Sequence, residues 1–306
     1  MSRTSAVLRG RPAAVAGLVT LGAIVLAAIL APAIAPYAPD QQVGPVFQAP
    51  SSAHLLGLSD QGVDMLSELI WACRVSLLVG GLAALVSIVI GGTVGICAGY
   101  FGGRIDLVLT LVTDYFIVVP ALPLLIVVAA VWGPSLSHIV LIIGLLLWTF
   151  PARIIRAQVK SLREQVYVKR SRSLGAGHLH VILRRIVPHT APLLIANAIL
   201  GVSAAIFAET ALSFLGLGDP TQASLGKLIA DASDHGASTV GAWWVLLPPG
   251  LLVGLIVLCA TLVGLAIEDA LNPRDTNVPF AGRALRPHRR RRRAPVVAAA
   301  EKELAR

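Results

Sequence analysis

YVKRSRSLGAGHLHVILRRIVPH, residues 167–189, lies between long apolar runs and carries five Arg or Lys residues. After Gly175, Leu179, Ile182, Leu183 and Ile186 recur at i, i+3, i+4 and i+7, which predicts an amphipathic helix ending at Pro188. Before Gly175, residues 162–174 read as a second short helix, with Tyr167 and Leu174 seven apart on one face. Gly175 separates the two because glycine takes positive φ at little cost. A basic helix–Gly–helix element lies flat on a bilayer or docks into a partner's groove.

The surrounding sequence says that a bilayer is present. The 306 residues are 56% hydrophobic and only 13% charged, about half the charged share of a soluble domain. The fold class is therefore all-α and polytopic. Six stretches are long enough to cross about 30 Å of hydrocarbon. They are 12–35, 75–98, 105–131 (interrupted by Asp114, Pro120 and Pro123), 136–152, 190–215 and 243–267. The first exceeds a signal-peptide core of about 7–15 residues and reads as a retained span.

Basic residues orient the spans. With the N-terminus inside, all Lys and Arg except Arg74 and Lys227 fall on the cytoplasmic side, as the positive-inside rule requires. The organisation is then a cytoplasmic start and first span over 1–35, an external segment over 36–74, and a five-helix core over 75–272. The core holds a cytoplasmic loop at 156–187 and an external loop at 216–242, and a basic low-complexity tail follows over 273–306. That tail, with Arg289 to Arg293 in a row, suits anionic membrane lipid rather than nucleic acid. In the external segment Ser59 is placed to cap a short interfacial helix presenting Val63, Leu66, Ile70 and Trp71.

Catalytic chemistry is not legible. Gly226-Lys227-Leu228 lacks the hydroxyl and the upstream glycine spacing of a phosphate loop. Cys73, Cys97 and Cys259 have no ligand spacing, and His138 and His235 have no ligand partner nearby in sequence. No catalytic residue, metal ligand or cofactor is assigned to this chain. Asp114 and Glu209 are ionisable groups inside apolar runs, where each is costly unless paired or hydrated. With Asn197, Thr210 and Ser213 they are candidates for a translocation path; helix–helix hydrogen bonding suits Glu209 equally, and suits Asn197 and Ser203 slightly better than the path does.

The spacing around Gly175 and Val187-Pro188 resembles the EAA loop of ABC-importer permeases. HLLGLSDQGVDMLSELIWACRVSLLVG (54–80), AGYFGGRIDLVLTLVTDYFIVVPALPLL (98–125), ETALSFLGLGDP (209–220) and EDALNPR (268–274) narrow the resemblance to the C-type permease subunits of dipeptide/oligopeptide importers. The resemblance implies a type I importer permease core with six transmembrane helices, a multi-pass inner-membrane location and a peptide cargo. It further implies a second homologous permease, two ATPases that hold ATP and Mg, and an extracytoplasmic peptide-binding protein. Transferred onto this chain, the ATPase-coupling residues are Glu164, Tyr167, Lys169, Arg170, Ser171, Leu174, Gly175, Leu179, Ile182, Leu183 and Pro188. The family's Glu-Ala-Ala is here Lys169-Arg170-Ser171. The ATPase then offers an acidic site to Lys169, Glu164 substitutes from a turn earlier, or docking rests on the apolar face around Gly175. Ser59 stands where these subunits often carry Asp, so no outside carboxylate cluster is expected. Two other functions are a stand-alone secondary transporter and a lipid-binding scaffold; the first requires an internal repeat and paired intramembrane charges, neither of which is legible.

Overall fold

The computed structural model describes residues 12–271. The tail over 273–306 and the first residues of the 1–35 segment lie outside the described residues. Among those described, the elements are helical, with two isolated bridges (Gln42 with Val63, Leu58 with Asp64) in the irregular segment before the second long helix. Helix α1 is Pro12–Ile29, followed by a single turn, α2, at Ala31–Ile34. Helix α3, Met65–Phe101, runs through the middle of the fold. Helices α4 (Gly103–Val118) and α5 (Ala121–Trp132) form one bent pair, α6 (Leu136–Leu147) and α7 (Thr149–Arg163) another. Then come α8 (Val166–Ser173), α9 (His178–Val181), a π-helical turn at Ile182–Ile186, α10 (Val187–Phe214), α11 (Leu225–Asp234) and α12 (Trp243–Leu271).

Four continuous helical segments are long and apolar enough to span a membrane: Pro12–Ile29, Met65–Phe101, His178–Phe214 and Trp243–Ala270. The two bent pairs, at 87° and 41°, raise the number to six, and these are the six predicted stretches. The bends have local causes. Pro120 drives Val119 into the extended region (φ −71°, ψ 126°), which ends α4. Pro151 has no N–H and its ring crowds the carbonyl four residues back, where the chain bends between α6 and α7.

Helix α3 corrects the expectation for the external segment. Ser59 caps nothing, and there is no separate interfacial helix. Asp64 is the N-cap: its carboxylate accepts from the Ser67 N–H (3.0 Å) and hydroxyl (2.8 Å). No proline interrupts 65–101, so the helix runs on as one rod of about 55 Å, well beyond the hydrocarbon thickness. Ser59 instead folds the preceding turn, its hydroxyl accepting from the N–H groups of Gln61 and Val63.

Packing around α3 depends on a stripe of small residues. Gly91, Gly95 and Gly99 recur every four residues on the face that meets α7. A Cβ at Gly95 would stand 2.6 Å from the Ala152 carbonyl oxygen, and one at Gly99 would stand 2.8 Å from that of Arg156. Backbone meets backbone there, as in small-xxx-small membrane interfaces. Three apolar clusters follow along the long helices. One, at the end carrying the 163–177 loop, joins Tyr100, Ile155, Val159, Val168, Val181 and Ile186. A second joins α3, α5, α6 and α10 around Ile143, and a third, around Ile206 and Ile256, joins α3, α10, α11 and α12.

Candidate functional site: the basic loop and the buried carboxylates

The loop between α7 and α10 is built as two short helices around Gly175. Helix α8 closes with a Schellman motif. The Ala176 N–H bonds the Ser171 carbonyl (3.2 Å) and the Gly175 N–H bonds that of Arg172 (3.0 Å), with Gly175 at φ 84°. The second part departs from the prediction. Its helix does not end at Pro188, because α9, the π turn and α10 run on as one rod over His178–Phe214. In the π turn the Val187 N–H reaches the Ile182 carbonyl five residues back. The chain thus enters the proline through a widened turn rather than a break.

The same turn splits the predicted apolar stripe, since a wider turn rotates the chain less per residue. Ile186 is fully buried and Ile182 partly so, while Leu179 is 69% and Leu183 55% exposed. Val168 and Val181 take the inward positions instead. Outward stand Val166 and Leu174, each 79% exposed. Tyr167 turns inward, its ring stacked on His189 at 5.4 Å between centroids. Ser171 is half-buried and Pro188 exposed.

The charges of the loop are partly consumed within it. Glu164 accepts from Lys169 Nζ at 2.9 Å and from Arg163 Nε at 3.3 Å. The Lys169 ammonium, with Arg163 adding, holds the Glu164 carboxyl below its usual range. Arg170 and Arg172 have no ion-pair partner among the described residues.

Asp114 is not the solitary charge that the sequence suggested. It pairs with Arg153 at 2.6 Å, and both side chains are about half exposed. Asp106, two turns earlier on α4, accepts from Arg156 (2.5 Å) and Lys160 (2.6 Å) on α7. Two carboxylates eight apart thus face three cations at i, i+3 and i+7. That pairing was readable only once α4 and α7 were known to be neighbours.

Glu209 is buried, with 1% exposure, and its carboxylate is held from two sides. Ser213 donates to Oε1 (2.8 Å) and Ser76 of α3 to Oε2 (2.9 Å), while the Ser76 oxygen accepts from the Leu225 N–H of α11 (3.2 Å). The carboxylate therefore ties α3, α10 and α11 together. Asn197 donates to the Leu193 carbonyl one turn earlier (2.9 Å). The Thr210 hydroxyl is buried without a partner. Ser203 stands against α12, within 3.5 Å of the Val257 carbonyl.

At the end of the fold away from the loop, a carboxylate cluster is present that the sequence reading did not expect. Asp60 Oδ2 stands 2.9 Å from His235 Nδ1, which is itself hydrogen-bonded to the Asp231 carbonyl (2.8 Å), and His54 Nδ1 lies 2.9 Å from the capping Asp64. Asp60, Glu68 and Asp231 lie within electrostatic reach of one another. Burial, with Asp60 and Asp234 adding to it and Lys227 and His235 opposing it, pushes the Asp231 carboxyl up. The residues come from two stretches far apart in sequence, 54–68 and 231–235, so sequence spacing carried no signal that they meet. The glycine stripe on α3 was missed too, although Gly91, Gly95 and Gly99 could have been found by counting fours.

A helical bundle with up to six candidate spans, two of them bent, and a basic loop around Gly175 at one end is the architecture of a multi-pass membrane protein. The sequence profile of the binding-protein-dependent transport system inner membrane component family matches residues 91–276. That of the N-terminal TM domain of oligopeptide transport permease C matches residues 3–50. The oligopeptide transport system permease protein OppC of Mycobacterium tuberculosis is 38% identical over 270 residues, covering 87% of this chain and 91% of that protein. The dipeptide transport system permease protein DppC of Bacillus subtilis is 34% identical, covering 87% and 83%. The di/tripeptide transport system permease protein DppC of Pseudomonas aeruginosa is 35% identical, covering 86% and 89%. The chain belongs to the binding-protein-dependent transport system inner membrane component family, and so to the permease subunits of ABC importers. It is an inner-membrane, multi-pass component of a transport system.

Proposed function

We propose that this chain is one of two homologous permeases in an ATP-driven importer of di- and oligopeptides. A binding protein delivers the peptide outside and two cytoplasmic ATPases drive transport. The basic end of the bundle faces the cytoplasm, in line with the distribution of Lys and Arg, and by the same rule both termini are cytoplasmic. ATP and Mg belong to the ATPases. The peptide cargo is inferred from the relatives, which are named for peptide transport.

The observation that carries the coupling role is the exposed apolar set Val166, Leu174, Leu179 and Leu183 around the positive-φ Gly175. Four large apolar side chains in a basic, water-facing loop are costly unless a partner covers them. Glu164 is engaged by Lys169 and Arg163, so it does not supply the acidic contact of related loops. Docking then rests on the apolar face, with Arg170, unpaired among the described residues, as a cation on the same side, and its complement on the ATPase is an apolar groove with an acidic rim. The loop drives alternating access only insofar as its docking free energy differs between the ATPase states.

In proteoliposomes holding the full transporter, Gly175→Pro, or Leu174→Asp combined with Arg170→Glu, is expected to leave assembly of the permease in the membrane intact. ATP hydrolysis then loses its stimulation by loaded binding protein, and peptide uptake is lost. Wild-type uptake by both variants would refute the coupling role.

A further inference from the structure

A cavity of about 310 Å³ opens between the end of α3 and the loop, lined by Tyr100, Phe101, Arg163, Lys169, Arg172 and His178, with Glu164 at its edge. We propose that it binds the phosphate headgroup of an anionic phospholipid. Three cations against one carboxylate leave a net charge of +2. Glu164 already engages Arg163 and Lys169, and Arg172 is exposed with no ion-pair partner among the described residues. That leaves an unused guanidinium, the group best matched to two phosphate oxygens.

The opposite wall is aromatic. Phe101, 44% exposed, and Tyr100 end the membrane-spanning α3, and the Tyr100 hydroxyl hydrogen-bonds His178 Nδ1 at 3.0 Å. Aromatic rings beside basic groups at a span's end match the boundary between acyl chains and headgroups. A fully soluble anion would have no use for the apolar wall, whereas a phosphodiester with a glycerol attached fits both sides. The volume is at the small end for ligand sites, which suits a headgroup.

The site lies beside the proposed ATPase face and includes none of its exposed apolar residues Val166, Leu174, Leu179 and Leu183. On α8, Lys169 and Arg172 are three apart on one flank, whereas Val166, Arg170, Ser173 and Leu174 project from the outer side. The inference rests on the proposed orientation only for which leaflet supplies the lipid.

The test uses the full chain purified with its transporter partners and delipidated. Phosphatidylglycerol or phosphatidylcholine is added back, and retained lipid is counted by native mass spectrometry. Phosphatidylglycerol is expected to be retained preferentially. Arg172→Gln is expected to lower its retention about fivefold, the worth of one basic group at an anionic surface, and Arg172→Lys to restore most of it. The basic tail contributes equally in every variant, so the difference isolates the cavity. Added inorganic phosphate at millimolar concentration is expected not to displace the lipid. Equal retention of the two lipids, or no effect of Arg172→Gln, overturns the proposal. Displacement by inorganic phosphate also overturns it, and identifies a small-anion site instead. Failure of the coupling reading would show as unchanged uptake in the Gly175 and Leu174 variants, and lipid counts are independent of that outcome.

Discussion

Adding one methyl group at Gly95 of α3 is expected to destabilise the permease, while the same change at Gly81 of the same helix stabilises it. A Cβ at Gly95 would lie 2.6 Å from the Ala152 carbonyl oxygen, 3.0 Å from Ile155 Cβ and 3.1 Å from the Arg156 nitrogen. Ordinary contact begins at 3.4 Å, so α3 and α7 must part by about 0.8 Å at that point, 3.4 less 2.6. Two of the three obstructing atoms are backbone, which cannot rotate away. Overpacking of this kind costs about 1–3 kcal/mol. Replacing glycine by alanine in a helix returns about 0.5–1 kcal/mol, so Gly95→Ala is expected to lose about 1 kcal/mol net at the middle of the two ranges. Gly81 has nothing within 4 Å of the same position, leaving only the favourable propensity term, so the two variants differ by about 2 kcal/mol. Reversible unfolding in mixed micelles, titrating denaturing detergent and following helix content, measures both. A Gly95→Ala protein as stable as wild type would mean that α3 and α7 are not in backbone contact. The loop placement that depends on that contact would fall with it.

Two further outcomes follow from the buried and far-end carboxylates. Glu209→Leu strands the Ser76 and Ser213 hydroxyls and is expected to cost about 1–3 kcal/mol per hydroxyl left unsatisfied. Glu209→Gln keeps an acceptor and loses less, as the same unfolding titration would show; equal losses would rule out a tie made by hydrogen bonds. Asp231 has its folded carboxyl raised from 3.8, so the folded state holds the proton more tightly than the unfolded one. Its contribution to stability falls as pH rises above 3.8 towards the raised value. Asp231→Asn is therefore expected to raise the melting temperature at neutral pH and to flatten that part of the pH profile. An unchanged profile would show that the cluster does not bear on stability.

Apolar length made the span count legible, because crossing hydrocarbon demands about 20 residues whatever the fold. Pro120 also signalled a break and Gly175 a turn, since each acts through its own backbone, whereas Pro151, inside the stretch taken as one span over 136–152, marks a bend that the sequence analysis did not single out. What failed to be legible depended on partners distant in sequence. Ser59 and Asp64 are both good caps on paper, and Asp64 prevailed because its carboxylate meets Ser67 where the uninterrupted run begins. The Leu179–Ile186 stripe was read at 3.6 residues per turn, and a π turn that nothing in the local sequence announces changed its register. Glu209 looked equally fit for a path or a bond until Ser76, 133 residues away, was found beside it. Of the candidate site residues, the loop set lies together in one stretch of chain, from the end of α7 through α8, α9 and the π turn to the start of α10. Asp114, Asn197 and Glu209 are engaged at separate places within the chain.

The segment from His178 to Phe214 has one further property, which is mechanical. Its loop end carries Leu179 and its other end the Glu209 tie, 30 residues and about 45 Å apart along the axis. A helix without a hinge transmits torque: a rotation forced at one end arrives at the other unless something along the shaft gives. The π turn at Ile182–Ile186 is the one interruption of the regular α register near the loop end among the described residues of this segment. It sits next to the end proposed to meet the ATPase. Beyond Pro192 the shaft runs unbroken to Phe214, so twist that passes those first turns is delivered to the anchored carboxylate.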